Sequence, residues 1–306
     1  MLRYIARRLL LLIPVLFVIS IVTFSMAHAV PGGPFDREHR LPPEIIANLN
    51  KYYGLDQPVW KQYVKYMQDI LLRGDFGPMY SSRSRRVNDI FRDHLPVSAE
   101  LGVYSLLLAL GIGVPLGIVS AMRQNTIWDY VGMGIAIFGI SVPSMVLGPL
   151  LILVFALTLR WVPVAGWGSP AQIIMPTIAL GMGQSAIIAR LTRASMLQVI
   201  REDYIRTARA KGLAERAIMV RHALKNAFIP VATVLGPLFA ALVTGTFIVE
   251  QIFAVPGLGK YFVTSIGNRD YPVIMGTILL YAVILVLANL AVDITYAFLD
   301  PRIVYS

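Results

Sequence analysis

Six stretches of this chain, residues 9–30, 101–122, 131–159, 171–189, 227–249 and 273–299, contain only one Asp, Glu, Lys or Arg between them, Asp293. An apolar run of ~18 or more residues is long enough to cross a bilayer as a helix. Soluble domains carry roughly a quarter charged residues; this chain carries 14%, with 57% hydrophobic residues and a mean hydropathy of +0.67. The expectation is an all-α polytopic membrane protein with six transmembrane helices. The first span follows the basic start MLRYIARR. Ala27-His28-Ala29 has the form of a signal-peptide cleavage site, but the apolar run exceeds the ~7–15 residues of a signal core, so residues 1–30 read as an uncleaved first helix. The third span is long for one crossing and contains Pro143 and Pro149, so a tilted or locally broken helix is expected. In the second, Gly113 and Gly117 stand four apart, which lets another helix approach closely.

Residues 31–98 are the one large hydrophilic segment. Ile45, Leu49 and Tyr52 or Tyr53 recur at helical spacing, as do Val59, Tyr63, Tyr66 and Ile70. Gly54 and Gly74 mark helix ends, and DFGPMYSSRSRR reads as turn and loop. This is expected to be a small, mostly helical domain outside the membrane, followed by a five-helix transmembrane core over 99–306.

Charge fixes the expected sidedness. With the N-terminus inside, the N-terminal segment, the 123–130 loop, the 190–226 loop and the tail carry fourteen Lys and Arg; the short loops on the other side carry Arg160, Lys260 and Arg269. Cytoplasmic loops accumulate Lys and Arg, whereas long segments translocate largely regardless of charge. Both termini and the 190–226 loop are therefore expected in the cytoplasm, and 31–98 outside. The net charge of +10 then follows from topology and membrane lipid; it calls for no nucleic acid.

Most catalytic chemistries are excluded. There is no cysteine, and the four histidines are scattered, so no thiolate, metal or cofactor site is expected. HExxH and GxSxG are absent. Gly257-Leu258-Gly259-Lys260 fails the phosphate-loop pattern, since Tyr261 replaces the Ser or Thr and Ala254 stands where Gly is required. The chain is not expected to be an enzyme. Nor is it rich in the mid-bilayer ionisable groups that ion-coupled carriers use. Glu250 and His28 fall at outer ends of spans, and Asp293 within reach of Arg302. The spans offer Ser141, Ser144, Thr244, Thr246 and Asn289 instead, a polar lining suited to a passive path.

The 190–226 loop carries nine Lys or Arg and three acids. A helix over 197–211 would place Leu197, Ile200, Tyr204 and Ala208 on one stripe, with Glu202 four residues before Arg206 as an ion pair. Gly212 stands where a helix end needs positive φ. A second helix, 214–226, would align Leu213, Ala217, Val220 and Leu224. The small residues Thr207, Ala208 and Ala210 suit close approach of a cytosolic partner.

This stretch resembles the cytoplasmic loop of bacterial ABC importer permeases, EAA–x3–G–x9–I-x-L-P. Against that general form only Ala208, Gly212 and Leu224 match. YIRTARAKGL…RHALKNAFIP is similar almost throughout to the peptide and nickel branch. RRLLLLIP, PGGPF, YGLDQPVWKQY, GDFG, QNTIWDY, PSM, RLTRASML, VPGLGKYF, NRDYPV and LDPRI agree along the whole chain, and LPPEIIANL brings it near the B-type permeases of oligopeptide systems. The resemblance implies the type I ABC importer permease fold in a bacterial inner membrane. It implies a second, homologous permease subunit, two cytoplasmic ATPase subunits that carry the ATP and Mg²⁺, and a periplasmic or lipid-anchored solute-binding protein. Peptide is the implied substrate, with nickel or glutathione as alternatives; a stand-alone channel or carrier is the rival from another class. A coupling helix is implied at Asp203, Tyr204, Arg206, Thr207, Ala208, Ala210, Lys211 and Gly212. Residues 31–98 and 256–270 would meet the binding protein, with a short helix over 259–266 capping the path. Ser141, Pro143, Ser144, Thr244, Thr246 and Glu250 are the candidate pathway residues.

Overall fold

The computed structural model describes residues 2–30, 32–35, 42–82, 84–244 and 246–299; Pro31 of PGGPF, Leu41 of LPPEIIANL, Arg302 and most of LDPRI lie outside them. The helices are, in order, α1 (Leu2–Ala29), α2 (Pro43–Tyr53), α3 (Val59–Arg73), α4 (Val87–Met122), α5 (Ile127–Ser141), α6 (Ser144–Leu151), α7 (Pro170–Val199), α8 (Asp203–Ala210), α9 (Glu215–Ala217), α10 (Leu224–Ala227), α11 (Ile229–Val243), α12 (Phe247–Ile252), α13 (Gly259–Asn268) and α14 (Tyr271–Leu299). Two π-helical segments interrupt them, Ile152–Thr158 after α6 and Ile218–Ala223 between α9 and α10. No strand is present among the described residues beyond an isolated bridge of Pro78 to Arg86.

Apolar helices gain nothing from hiding apolar surface in lipid, so they associate through close packing. The seam between α4 and α7 shows this. A Cβ on Gly113 would stand 2.5 Å from the Ser185 carbonyl oxygen, and one on Gly117 2.6 Å from that of Ala189. Gly181 returns the approach, its place for a Cβ lying 3.0 Å from the Ser105 carbonyl oxygen. The two glycines expected to admit a neighbour do so, and α7 is that neighbour. α7 starts on a capping box: Ser169 precedes Pro170, and the Ser169 amide donates to Gln172 Oε1 at 3.1 Å.

α1, α4, α7 and α14 are each long and apolar enough to cross a membrane, and two further pairs pass only if a bent pair counts as one span. The third expected span is one such pair. It breaks at Val142–Pro143, where the residue before proline is held extended, and α5 meets α6 at 100°. The fifth is shorter than expected: α11 ends at Val243, α12 is separate, and a 51° bend sets 215–227 against α11. α4 begins at Val87, where the Arg86 amide donates to Asp89 at 2.8 Å. The boundary expected at residue 98 thus lies inside one continuous helix.

Two ion pairs fasten the bundle. Arg193 near the end of α7 grips Asp129 in the first turn of α5 with two bonds of 2.7 Å. Arg8 of α1 meets Asp293 of α14 at 2.8 Å, so the described partner of Asp293 is Arg8, whereas the sequence suggested Arg302.

At the other end, Gly54 and Gly74 terminate α2 and α3 with φ of 70° and 62°. α3 packs Tyr63, Tyr66 and Ile70 against Phe24, Met275 and Leu279. The loop to α4 is held by Asn88, whose side chain accepts from Phe76 N at 2.9 Å and donates to Gly74 O at 2.7 Å. Asp270 accepts from the amide and hydroxyl of Ser81 at 2.9 and 2.7 Å. Burial and the neighbouring Asp270 carboxylate push the Tyr80 hydroxyl well above its ordinary pKa.

Candidate functional site

The basic stretch folds as a hairpin at the end of α7. α7 stops at Val199, a turn follows, and α8 starts at Asp203, so the helix expected over 197–211 is two. Gly212 adopts φ 73°. Its amide donates to Arg209 O at 2.9 Å and that of Leu213 to Ala208 O at 3.3 Å, which ends α8 and reverses the chain. Arg209 then clamps Glu215 across the turn through Nε and Nη2 at 3.2 and 2.7 Å, a bidentate pair that fixes the angle of the hairpin. Arg206 pairs with Asp203 at 3.4 Å, while the sequence suggested Glu202.

The hairpin has its own core. Ile205 and Ala208 of α8 are buried with Met196, Ile218, Met219 and Ala223, and with Ala121 from the end of α4. Of the first expected stripe, Leu197, Ile200 and Ala208 pack in this core and only Tyr204 stands outside it, while the second stripe is out of phase. The break before Asp203 turns Ile205, instead of Tyr204, inward. The π segment adds a residue to one turn, so Ile218 and Met219 face the core while Leu213 and Val220 stay 44% and 61% exposed. Tyr204 still serves the hairpin: its hydroxyl accepts from Asn226 Nδ2 at 2.7 Å. Of the eight expected docking residues, Ala208 lies in the hairpin core at 7% exposure. Asp203, Tyr204, Arg206, Thr207, Ala210, Lys211 and Gly212 form the exposed outer side.

The expected pathway residues fall at two chain breaks. Ser141, Pro143 and Ser144 flank the elbow between α5 and α6, with Ser141 and Pro143 exposed. Thr244 closes α11, its hydroxyl donating back to Ala240 O at 2.8 Å, and Thr246 precedes α12 with its hydroxyl buried. Glu250 lies inside the fold of this chain. It is 2% exposed, accepting from Ser98 Oγ at 2.8 Å and from Gly259 N at 2.9 Å. Ser98 Oγ also accepts from Leu258 N at 2.8 Å. A Cβ on Gly257 would come within 2.4 Å of this carboxyl group. Glu250 is thus the buckle that folds the VPGLG loop onto α4. Of the amides in the stretch that failed the phosphate-loop pattern, that of Gly259 donates to the Glu250 carboxyl group and that of Leu258 to Ser98. His94 extends the clasp, bonded to Pro256 O at 2.8 Å and Tyr261 Oη at 3.0 Å. The short helix expected over 259–266 is present as α13.

Comparison with known proteins decides the family. Residues 113–305 match the model of the binding-protein-dependent transport system inner membrane component, and residues 1–102 match that of the N-terminal part of such membrane components. The chain belongs to this family. It is 47% identical to the dipeptide transport system permease protein DppB of Bacillus subtilis, covering 99% of this chain and 98% of the relative. It is 45% identical to the oligopeptide transport system permease protein OppB of Salmonella typhimurium and 43% to that of Escherichia coli, with both chains covered in full. Among solved structures, an inward-facing MetNI methionine ABC transporter chain superposes with a TM-score of 0.55 at 21% identity, over 69% of this chain and 96% of that one. The fold is that of ABC importer permeases.

Two features of this transport component escaped the sequence. Ser98 and Glu250 are 152 residues apart, and nothing local to either marks the other. The Asp129–Arg193 pair was in reach, since an acid opening one span and a base closing another on one side of the bundle are natural partners.

Proposed function

We propose that this chain is the membrane permease subunit of an ATP-driven importer of oligopeptides or dipeptides, forming half of the translocation path. In this reading the chain crosses six times, each bent pair counting as one span, with both termini and the α8 hairpin in the cytoplasm and residues 31–98 outside; the excess of Lys and Arg in the loops assigned to the cytoplasm supports it. The observation that carries the reading is the hairpin. It is rigid, sharing its core with α4 and α7, and it presents Asp203, Tyr204, Arg206, Thr207, Ala210 and Lys211 outward. Such a surface fits a cleft on a cytoplasmic ATPase subunit, and the chain's lack of a phosphate loop leaves ATP and Mg²⁺ to that partner. A second permease subunit completes the path, and a solute-binding protein delivers peptide from outside. The full-length likeness to DppB and OppB supports peptide as cargo.

The test is ATP-dependent uptake of labelled peptide by the reconstituted transporter, together with co-purification of the ATPase subunits. Arg206→Glu combined with Lys211→Glu, both on exposed side chains, should abolish uptake and ATPase retention while the permease still inserts. Normal uptake and retention would sink the docking reading. Uptake by this chain alone in liposomes would favour a stand-alone carrier.

A further inference from the structure

α3 has three faces. Successive residues of a helix are about 100° apart. Tyr63, Tyr66 and Ile70 fall on one side and pack against α1 and α14. Lys61, Lys65, Asp69 and Arg73 repeat at every fourth position along a second, which also carries Leu72, 82% exposed. Trp60, Val64 and Leu71 make the third, and they are 64%, 44% and 74% exposed.

The height of α3 along its neighbours shows what meets that third face. Tyr63 Oη is 2.7 Å from Ser20 Oγ, and its ring lies 6.4 Å from that of Phe17. Ser20 and Phe17 stand nine and twelve residues before Ala29, where α1 ends, or about 14 and 18 Å down the helix axis. On the other flank Met275 and Leu279 lie four and eight residues into α14, about 6 and 12 Å below its start. α3 is therefore set beside the apolar ends of two spans, below their tips. On α1 itself Ile13, Phe17 and Val18 are 64%, 52% and 58% exposed.

We infer that α3 is an in-plane membrane helix seated in the outer leaflet, with Trp60, Val64 and Leu71 among the acyl chains and Lys61 and Lys65 at the phosphates. The composition fits. Tryptophan concentrates at the membrane–water boundary, lysine stems lie along apolar surface while the ammonium reaches polar groups, and a charged side opposite an apolar one defines an interfacial helix. Lys61 Nζ is 5.5 Å from the centre of the Trp60 ring, joining the two faces at the boundary. Asp69 is paired with Arg73 at 3.2 Å, which reduces its repulsion of phosphate. The word "outer" rests on the topology proposed above; the lipid seat rests on the packing of α3.

The chain contains no cysteine, so single nitroxide labels can be placed without removing any. Val64→Cys and Leu71→Cys probe the apolar face, and Lys61→Cys and Lys65→Cys the charged one, in the complete transporter in lipid nanodiscs. Collision with oxygen, which concentrates in lipid, should exceed collision with a water-soluble nickel chelate several-fold at 64 and 71, with the order reversed at 61 and 65. Dominant nickel collision at 64 and 71 would place that face in water. Exclusion of both reagents there would place it under protein, a second permease subunit or the binding protein. Either result overturns the inference. Lys65→Cys should also react with a membrane-impermeant maleimide on intact cells. Reaction only after lysis would overturn the sidedness, while the collision data decide the lipid seat separately.

Discussion

The α4–α7 seam makes a quantitative claim that one pair of substitutions tests. Gly111 and Gly113 are two residues apart in α4. An added Cβ at Gly111 has no atom within 4 Å, whereas at Gly113 it would stand 2.5 Å from the Ser185 carbonyl oxygen and 2.9 Å from Ile188. Ordinary contact begins near 3.4 Å, so 3.4 − 2.5 leaves a deficit of roughly 0.9 Å to be made up by separating two helix backbones. Forcing extra carbon into a packed interior costs about 1–3 kcal/mol. Both Gly→Ala changes gain the same helix propensity, ~0.5–1 kcal/mol, so this gain cancels when the variants are compared. Gly111→Ala should be as stable as the parent or slightly more so, and Gly113→Ala should lie below it by about 1–3 kcal/mol. For a chain of this size each kcal/mol corresponds to roughly 2–4 °C, so thermal unfolding in detergent, followed by tryptophan emission, should separate the two by several degrees. Ile188→Ala should not restore Gly113→Ala, because the shortest contact is with main chain. Coincident midpoints, or full rescue by Ile188→Ala, would refute the claim that the seam is set by backbone approach.

Gly212→Ala places a Cβ in the left-handed region, at a cost of about 1–2 kcal/mol, and should lower peptide uptake modestly; Gly212→Pro cannot hold φ 73° and should abolish uptake at unchanged membrane levels. Glu250→Gln substitutes a donor for one of two acceptor oxygens, at about 1–3 kcal/mol, and should raise hydrogen exchange across 255–262; unaltered exchange would show that the carboxylate does not hold the loop. Arg193→Gln leaves Asp129, with 3% of its side chain exposed, without its partner. Its cost should be about 3 kcal/mol, the low end for a broken buried pair, because Arg193 keeps 26% of its side chain in solvent. The double variant with Asp129→Asn should recover part of the lost thermal stability, and strict additivity would refute the pairing.

What the sequence revealed and what it withheld divide along physical lines. Gly54, Gly74 and Gly212 were legible because a helix end that needs positive φ is decided within a few residues. The glycines of α4 were legible as a surface that could admit a neighbour, though not which one. The elbow at Val142–Pro143 followed from proline chemistry, but its 100° angle depends on what α6 packs against. Helical phase failed at the hairpin, since a regular period cannot foresee the turn before Asp203 or the π segment at Ile218. Ala208 was assigned to the partner face by its small side chain, whereas the helical stripe grouped it with Leu197 and Ile200, which is where the hairpin core holds it. Glu250 was read as a span-end acid because Ser98 and the VPGLG amides reach it only through the tertiary fold.

The tightness of the α4–α7 seam has a mechanical consequence. Helices held backbone to backbone at three glycines have no slack through which to slide, so they behave as one beam. α4 alone has 36 residues, about 54 Å at 1.5 Å each. One end of this beam is set in the hairpin core through Ala121 and Met196; the other carries Ser98 and His94, which grip the loop buckled by Glu250. The hairpin core and the far loop are thus joined through one continuously packed pair of helices.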